Sequence, residues 1–188
     1  MTSAACEPTF IPGVFVVRRR VFGDSRGWFE ETFRASDDCV PPGVVFVQDN
    51  HSHSSCGVLR GLHYQLRRPQ AKLVTVTTGV IYDVALDVRR GSPTFGRWFG
   101  LRMEAGRGVQ IFVPAGIAHG FCVLSETADV VYKCSDYYDP ADERGVLWSD
   151  PHVAVKWPVA APVVSEKDGR LPALGDVGDA DLPEWKEP

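Results

Sequence analysis

The chain has 188 residues, 44% of them hydrophobic and 23% charged, with a formal net charge of −4. That length suits one domain, 1–188, with enough residues to bury a sizeable core. The charge balance, without a basic run, excludes the concentrated positive face that nucleic-acid binding needs. No stretch approaches the ~18 apolar residues of a membrane-spanning helix.

MTSAACEPTF, at the start, lacks a positive flank and an apolar core, so no signal peptide is expected. Arg18, Arg19 and Arg20 form the densest basic cluster and read as a solvated strand edge rather than a phosphate patch. Strands are expected at 14–22, 72–77, 80–88, 97–103, 109–113, 121–124 and 130–134, from period-two alternation and short apolar runs. In 80–88, Val80, Tyr82, Val84, Leu86 and Val88 alternate with Ile81, Asp83, Ala85 and Asp87. Turn signals such as Pro41-Pro42-Gly43, Thr78-Gly79 and Pro114-Ala115-Gly116 separate them. Short strands at this spacing, without amphipathic helices, argue for an all-β sandwich or jelly-roll barrel with few short helices. From about residue 169 the chain turns rich in Pro, Gly and acids, which predicts an irregular tail with a disordered end.

Five cysteines, Cys6, Cys39, Cys56, Cys122 and Cys134, stand singly with no CxxC pair. Free thiols in a reducing, cytoplasmic compartment fit that pattern. His51 and His53 have the spacing of a metal pair on a strand, but no third ligand is marked nearby. A polar, Ser-rich loop is the favoured reading of HSHSS.

His63 and His119 have more specific surroundings. Gly57 precedes His63 by six residues, Gln65 and Gln70 follow it, and His119 completes Pro114-x-Gly-x-x-His. These spacings resemble the two motifs of the cupin barrel, a double-stranded β-helix. In metal-binding cupins the ligand positions hold three histidines and a glutamate. Here they read His63, Gln65, Gln70 and His119, and neutral amides bind divalent metals poorly, so no metal and no cofactor are expected. The barrel interior remains a concave pocket with two imidazoles.

Arg60, His63, Gln65 and Lys72 lie on one stretch, RGLHYQLRRPQAK. Tyr132, Tyr137, Tyr138 and Asp168 follow later. Together they offer a base, a carboxylate to orient it, a phenolic acid and cations for an oxyanion. That set suits proton removal from carbon beside a carbonyl, where the base needs fixed orientation and the enolate a fixed positive charge. Taken singly, each has a plainer reading: a strand tyrosine is most often core or rim, and an aspartate in SEKD a turn residue.

Seven segments in order resemble the dTDP-4-dehydrorhamnose 3,5-epimerase family. They run from Phe22-Gly-Asp-Ser-Arg-Gly-Trp-Phe-Glu-Glu31 through Gln48-Asp-Asn-His-Ser52, Gly57-Val-Leu-Arg-Gly-Leu-His-Tyr-Gln65, Asp87-Val-Arg-Arg-Gly-Ser-Pro-Thr-Phe-Gly96, Ile111-Phe-Val-Pro-Ala-Gly-Ile-Ala-His-Gly-Phe121 and Val131-Tyr-Lys-Cys-Ser-Asp-Tyr-Tyr138 to Ser165-Glu-Lys-Asp168. The resemblance implies His63 as base, Asp168 as its partner, Tyr132 as acid and Lys72 as the cation beside the 4-keto oxygen. It places Arg60 and His119 near the sugar and diphosphate, and Phe22, Arg26, Glu31, Gln48 and Asn50 at the nucleotide. Tyr137, followed by Tyr138, matches the aromatic that stacks on thymine, and Lys167 a diphosphate contact. It also implies a homodimer with an exchanged N-terminal strand, and cofactor-free epimerisation of dTDP-4-keto-6-deoxy-D-glucose at C3 and C5. Alternatives are a 3-only or 5-preferring epimerase, a keto-sugar 3,4-isomerase, a metal-dependent cupin enzyme and a non-catalytic sugar-nucleotide-binding barrel.

Overall fold

The computed structural model describes residues 4–36 and 38–186. In chain order the strands are β1 Ala5–Pro8, β2 Phe15–Arg18, β3 Val21–Asp24, β4 Gly27–Glu30, β5 Gln48–Ser55, β6 Leu59–Gln65, β7 Lys72–Thr78, β8 Val80–Asp87, β9 Trp98–Glu104, β10 Val109–Val113, β11 Ile117–Val123, β12 Thr127–Cys134 and β13 Glu143–Gly145. A six-stranded sheet runs β1-β2-β10-β7-β12-β5, and a five-stranded sheet runs β13-β6-β11-β8-β9. The pairings within both sheets are antiparallel. β3 and β4 form a hairpin of their own.

The two sheets face each other over a core drawn from both. Val74, Val76, Ile111 and Val130 come from the six-stranded sheet, and Ile81, Ala85, Met103, Phe121 and Val123 from the five-stranded one. The alternation of β8 explains its place at the centre. Ile81 and Ala85 enter the inter-sheet core, while Val84 and Leu86 enter a second cluster on the outer face. That second cluster includes Val146, Val153, Leu174 and Leu182, so the C-terminal segment covers the outer face of the five-stranded sheet. The segment is irregular, with single 3₁₀ turns at Asp168–Arg170, Leu174–Asp176 and Asp179–Asp181. Leu174 and Leu182 are buried, so the segment packs against the sheet, and the last residues of the tail, 187–188, lie outside the described residues.

Three further expectations are corrected. Span 14–22 is two strands, because the chain leaves the sheet at Arg19 and Arg20 before the hairpin. HSHSS belongs to strand β5, paired along its whole length with β12. Cys6 and Cys39 form a disulfide between β1 and the loop before β5, leaving Cys56, Cys122 and Cys134 free. Their separation of 33 residues hid the pairing; β1 and that loop meet in a third cluster with Phe15, Phe33 and Phe46.

Candidate active site

The inter-sheet core is apolar at one end of the barrel and polar at the other. β6 and β11 bring His63 and His119 into direct cross-strand register. A bulge follows His119, between it and Phe121. Close approach there depends on glycine. A Cβ on Gly61, whose φ is +119°, would stand 2.6 Å from Gly120 Cα. Across the barrel, β7 starts at Lys72, and β12 carries Tyr132 opposite Asn50 of β5. Histidines on one sheet thus face a lysine and a tyrosine on the other.

These side chains line a cavity of about 440 Å³, together with Ser52, Arg60, Phe121, Ser165, Lys167 and Asp168. A second cavity of about 290 Å³ shares His63, Lys72 and Tyr132 and adds Gln48, Asn50, Tyr138 and Glu143. Volumes of this order suit a small ligand.

His63 Nε2 lies 2.7 Å from Asp168 Oδ1. The Gly61 N–H donates to Asp168 Oδ2 at 3.2 Å. Burial opposes charge on Asp168. The hydrogen bond and charge of His63, the Gly61 N–H and the Lys167 charge outweigh it and hold the carboxyl below its usual value. An ionised Asp168 accepts the Nε2–H and leaves the Nδ1 lone pair free; Nδ1 is 3.9 Å from Glu143 Oε1. Glu143 is ion-paired with Lys167.

His119 Nε2 meets Asp83 Oδ2 at 2.8 Å, and Asp83 Oδ1 is buried without a hydrogen-bond partner. Burial pulls the Lys72 ammonium below its ordinary value, against the charges of Cys134, Glu143 and Asp83. Burial pushes the Tyr132 phenol up, as do Cys134, Glu143 and Tyr138, against Arg60. Tyr132 therefore keeps its proton at neutral pH, and the site holds an oriented imidazole, a neutral phenol and a deep-set amine around one space.

Gln65 bonds the backbone of Arg68, Tyr137 and Asp139, and Gln70 that of Asp136, so both amides brace the loop after β12. His51 and His53 lie on the outer face of β5, both against Asp129. Among the described residues no group of three His, Cys, Asp or Glu is placed to hold a metal ion.

His63, Asp168, Tyr132, Lys72, Arg60, His119, Gln48, Asn50, Tyr138 and Lys167 are thus brought together. Tyr137 is not among the lining residues; it is exposed, with Arg68 6.0 Å from its ring centre. Phe22, Arg26 and Glu31 also stay outside both cavities. Phe22 is exposed on the hairpin, Arg26 pairs with Asp24, and Glu31, just beyond β4, pairs with Arg34. Glu143, Asp83 and Ser52 escaped the sequence reading. Only Asp83 left a signal there, as an acid in the row of Ile81 and Ala85.

The double-sheet barrel and the cavity between its sheets define a cupin-fold protein with an acid–base-bearing interior. The profile of the dTDP-4-dehydrorhamnose 3,5-epimerases matches residues 8–176. The chain is 52% identical over 169 residues to the dTDP-4-dehydrorhamnose 3,5-epimerase of Pseudomonas aeruginosa, covering 88% of this chain and 93% of that protein. The crystal structure of the Legionella pneumophila dTDP-6-deoxy-D-glucose-3,5-epimerase, in complex with dTDP-4-keto-L-rhamnose, superposes with a TM-score of 0.94 at 41% identity, covering 98% of this chain and 100% of that one. A 3'-monoepimerase from Streptomyces bikiniensis, in complex with dTDP-quinovose, gives 0.82 at 35% identity, covering 89% and 87%. The chain belongs to the dTDP-4-dehydrorhamnose 3,5-epimerase family.

Proposed function

We propose that the protein epimerises dTDP-4-keto-6-deoxy-D-glucose at C3 and C5 to dTDP-4-keto-L-rhamnose, with no metal or organic cofactor. The observation that carries this reading is the placement of the Asp168-bound His63 and of Tyr132 on facing sheets of one cavity, with Lys72 on the strand beside that of Tyr132.

Both C3 and C5 adjoin the C4 carbonyl, so the C–H electrons at either carbon move onto the same oxygen. His63 Nδ1 removes the proton, and Asp168 stabilises the imidazolium that forms. The Lys72 ammonium holds the enolate oxygen where charge develops. Tyr132 returns a proton from the opposite face, inverting the centre. The phenolate then regains a proton and the imidazolium loses one, and the cycle repeats at the other carbon. Greater identity to the Pseudomonas aeruginosa and Legionella pneumophila 3,5-epimerases than to the monoepimerase supports action at both carbons over C3 alone.

Arg60 and Lys167 supply cations for the diphosphate. Gln48, Asn50 and Tyr138 suit the nucleotide, with Tyr138 rather than Tyr137 stacking on the base. The protein acts as a homodimer in this reading. The hairpin carries exposed Phe22, Trp28 and Phe29, and β5 leaves a sheet edge open beside Gln48 and Asn50. A partner's hairpin seated there would bring Phe22, Arg26 and Glu31 to the nucleotide.

Proton NMR of enzyme and substrate in deuterium oxide, coupled to a 4-ketoreductase, tests the reading. Loss of the H3 and H5 signals with an L-rhamno product is expected. Loss of H3 alone would make the protein a 3-epimerase, and no exchange at either carbon would end the proposal.

A further inference from the structure

We infer that Ser52 is a further substrate-binding residue, whose hydroxyl donates to a phosphate oxygen held by Arg60. This rests on the diphosphate-sugar reading above.

Strand β5 turns Gln48, Asn50, Ser52 and Ser54 toward the barrel interior, while Asp49, His51, His53 and Ser55 are exposed. Three of the four inward residues are engaged within the chain. Gln48 donates to Asn50 Oδ1 at 3.0 Å, Asn50 contacts Cys134 Sγ, and Ser54 Oγ accepts from Arg60 Nε at 3.0 Å. Ser52 lies between them. Its Oγ is buried and has no hydrogen-bond partner in the chain, yet Ser52 lines the cavity of Arg60, His63, Lys72 and Tyr132. A buried hydroxyl left unpaired is unfavourable, and a group entering the cavity that Ser52 lines can supply its partner.

The neighbouring groups say what that partner is. Ser52 faces Val130 across the ladder, one inward position from Asn50 opposite Tyr132. On the other side, the Arg60 guanidinium is tied through Nε to Ser54, two residues along the same face, and through Nη2 to the His53 carbonyl. Those bonds leave Arg60 Nη1 for an anion. A phosphate oxygen bound there comes within reach of the Ser52 O–H, and a hydroxyl beside a guanidinium serves an anionic oxygen better than a neutral sugar oxygen. Ser52 is therefore a binding residue with no part in proton transfer.

The test is calorimetric binding of dTDP to the full-length protein, with steady-state kinetics alongside. Wild type binds dTDP; Ser52→Ala weakens binding and raises KM about tenfold with kcat unchanged, and Ser52→Thr, which keeps the hydroxyl, restores both. Equal dTDP affinity in wild type and Ser52→Ala overturns the inference, as does a fall in kcat at unchanged affinity. Should Ser52→Ala melt early, Ser52→Cys, with a thiol of similar shape and weaker donor strength, carries the same comparison. Failure of wild type to bind dTDP would instead overturn the substrate reading.

Discussion

His63 and His119 are direct cross-strand partners, and each presents Nε2 to a buried carboxylate, Asp168 at 2.7 Å and Asp83 at 2.8 Å. The two pairs are built differently. Asp168 arrives from a turn 105 residues along the chain and has both oxygens engaged, by His63 and by the Gly61 N–H. Asp83 lies on the adjacent strand and keeps Oδ1 unpartnered. Asp168→Asn removes the charge that stabilises an imidazolium and is expected to lower kcat by about 10²–10⁴-fold with dTDP affinity kept. Asp83→Asn acts under a ring that lines the cavity and is proposed to contact substrate, and is expected to raise KM with kcat within about tenfold of wild type. Equal kcat losses in both would assign His119 a proton-transfer role.

Lys72 sets activity against stability. Its pKa is lowered from 10.5 by burial, so the unfolded chain holds the proton more tightly than the fold does. The fold bears the cost of the buried ammonium below the folded pKa and is relieved of it as pH rises toward 10.5. In the proposed reaction activity runs the other way, since the enolate would need the ammonium. The alkaline limb of kcat is expected below 10.5 and to belong to Lys72, because the Tyr132 phenol is pushed above its ordinary 10.0. Lys72→Met is expected to abolish activity and raise Tm by a few degrees at pH 7, with the gain shrinking at high pH. A Tm gain independent of pH would remove the buried charge as its cause.

The hairpin proposal makes a mixing experiment decisive. His63→Ala disables a chain's own cavity, and Arg26→Ala disables the hairpin offered to the partner. Each homodimer is expected to be nearly inactive. Co-expressed, they form mixed dimers in which one site has both His63 and Arg26, and activity should return to about one quarter of wild type by random pairing. No recovery would place Arg26 in its own chain's function.

Much of the barrel was legible in the sequence, because β7, β8, β9, β10 and β12 carry period-two alternation or short apolar runs rich in β-branched residues. Strand β5 was not. Its inward face is Gln48, Asn50, Ser52 and Ser54, polar where the pattern asks for apolar side chains, because that face walls the site rather than the core. The proposed catalytic set could be assembled from the sequence only through the family resemblance. His63 and Asp168 carry no local pattern that joins them across 105 residues, and Glu143 reaches His63 through pairing of β13 with β6.

The Cys6–Cys39 bridge was hidden for the same reason, and it has a measurable consequence. It closes a loop of 33 residues that contains the hairpin and Phe33. Closing a loop of that length restricts the unfolded chain by about 2–4 kcal/mol in the chain-entropy account. Replacing both cysteines with serine is expected to lower unfolding free energy by that amount in urea, with kcat nearly unchanged, since neither sulfur lines the cavity. A large loss of kcat with stability intact would mean that the bridge positions the hairpin.

Tyr132 offers the sharpest test of the two-face arrangement. In Tyr132→Phe the ring still fills its place on β12 and the His63–Asp168 pair is untouched. Proton removal by His63 can continue, while delivery from the opposite face has lost its donor. The imidazolium can return a proton only to the face it came from, so exchange without inversion is the expected outcome. In deuterium oxide the variant should wash H3 and H5 out of the recovered substrate while product formation falls by about 10²–10⁴-fold. The ratio of exchange to turnover is therefore the quantity to measure, by NMR of substrate and product in one tube. A ratio equal to that of wild type would mean that both protons travel through the same group, and would place the acid elsewhere than Tyr132.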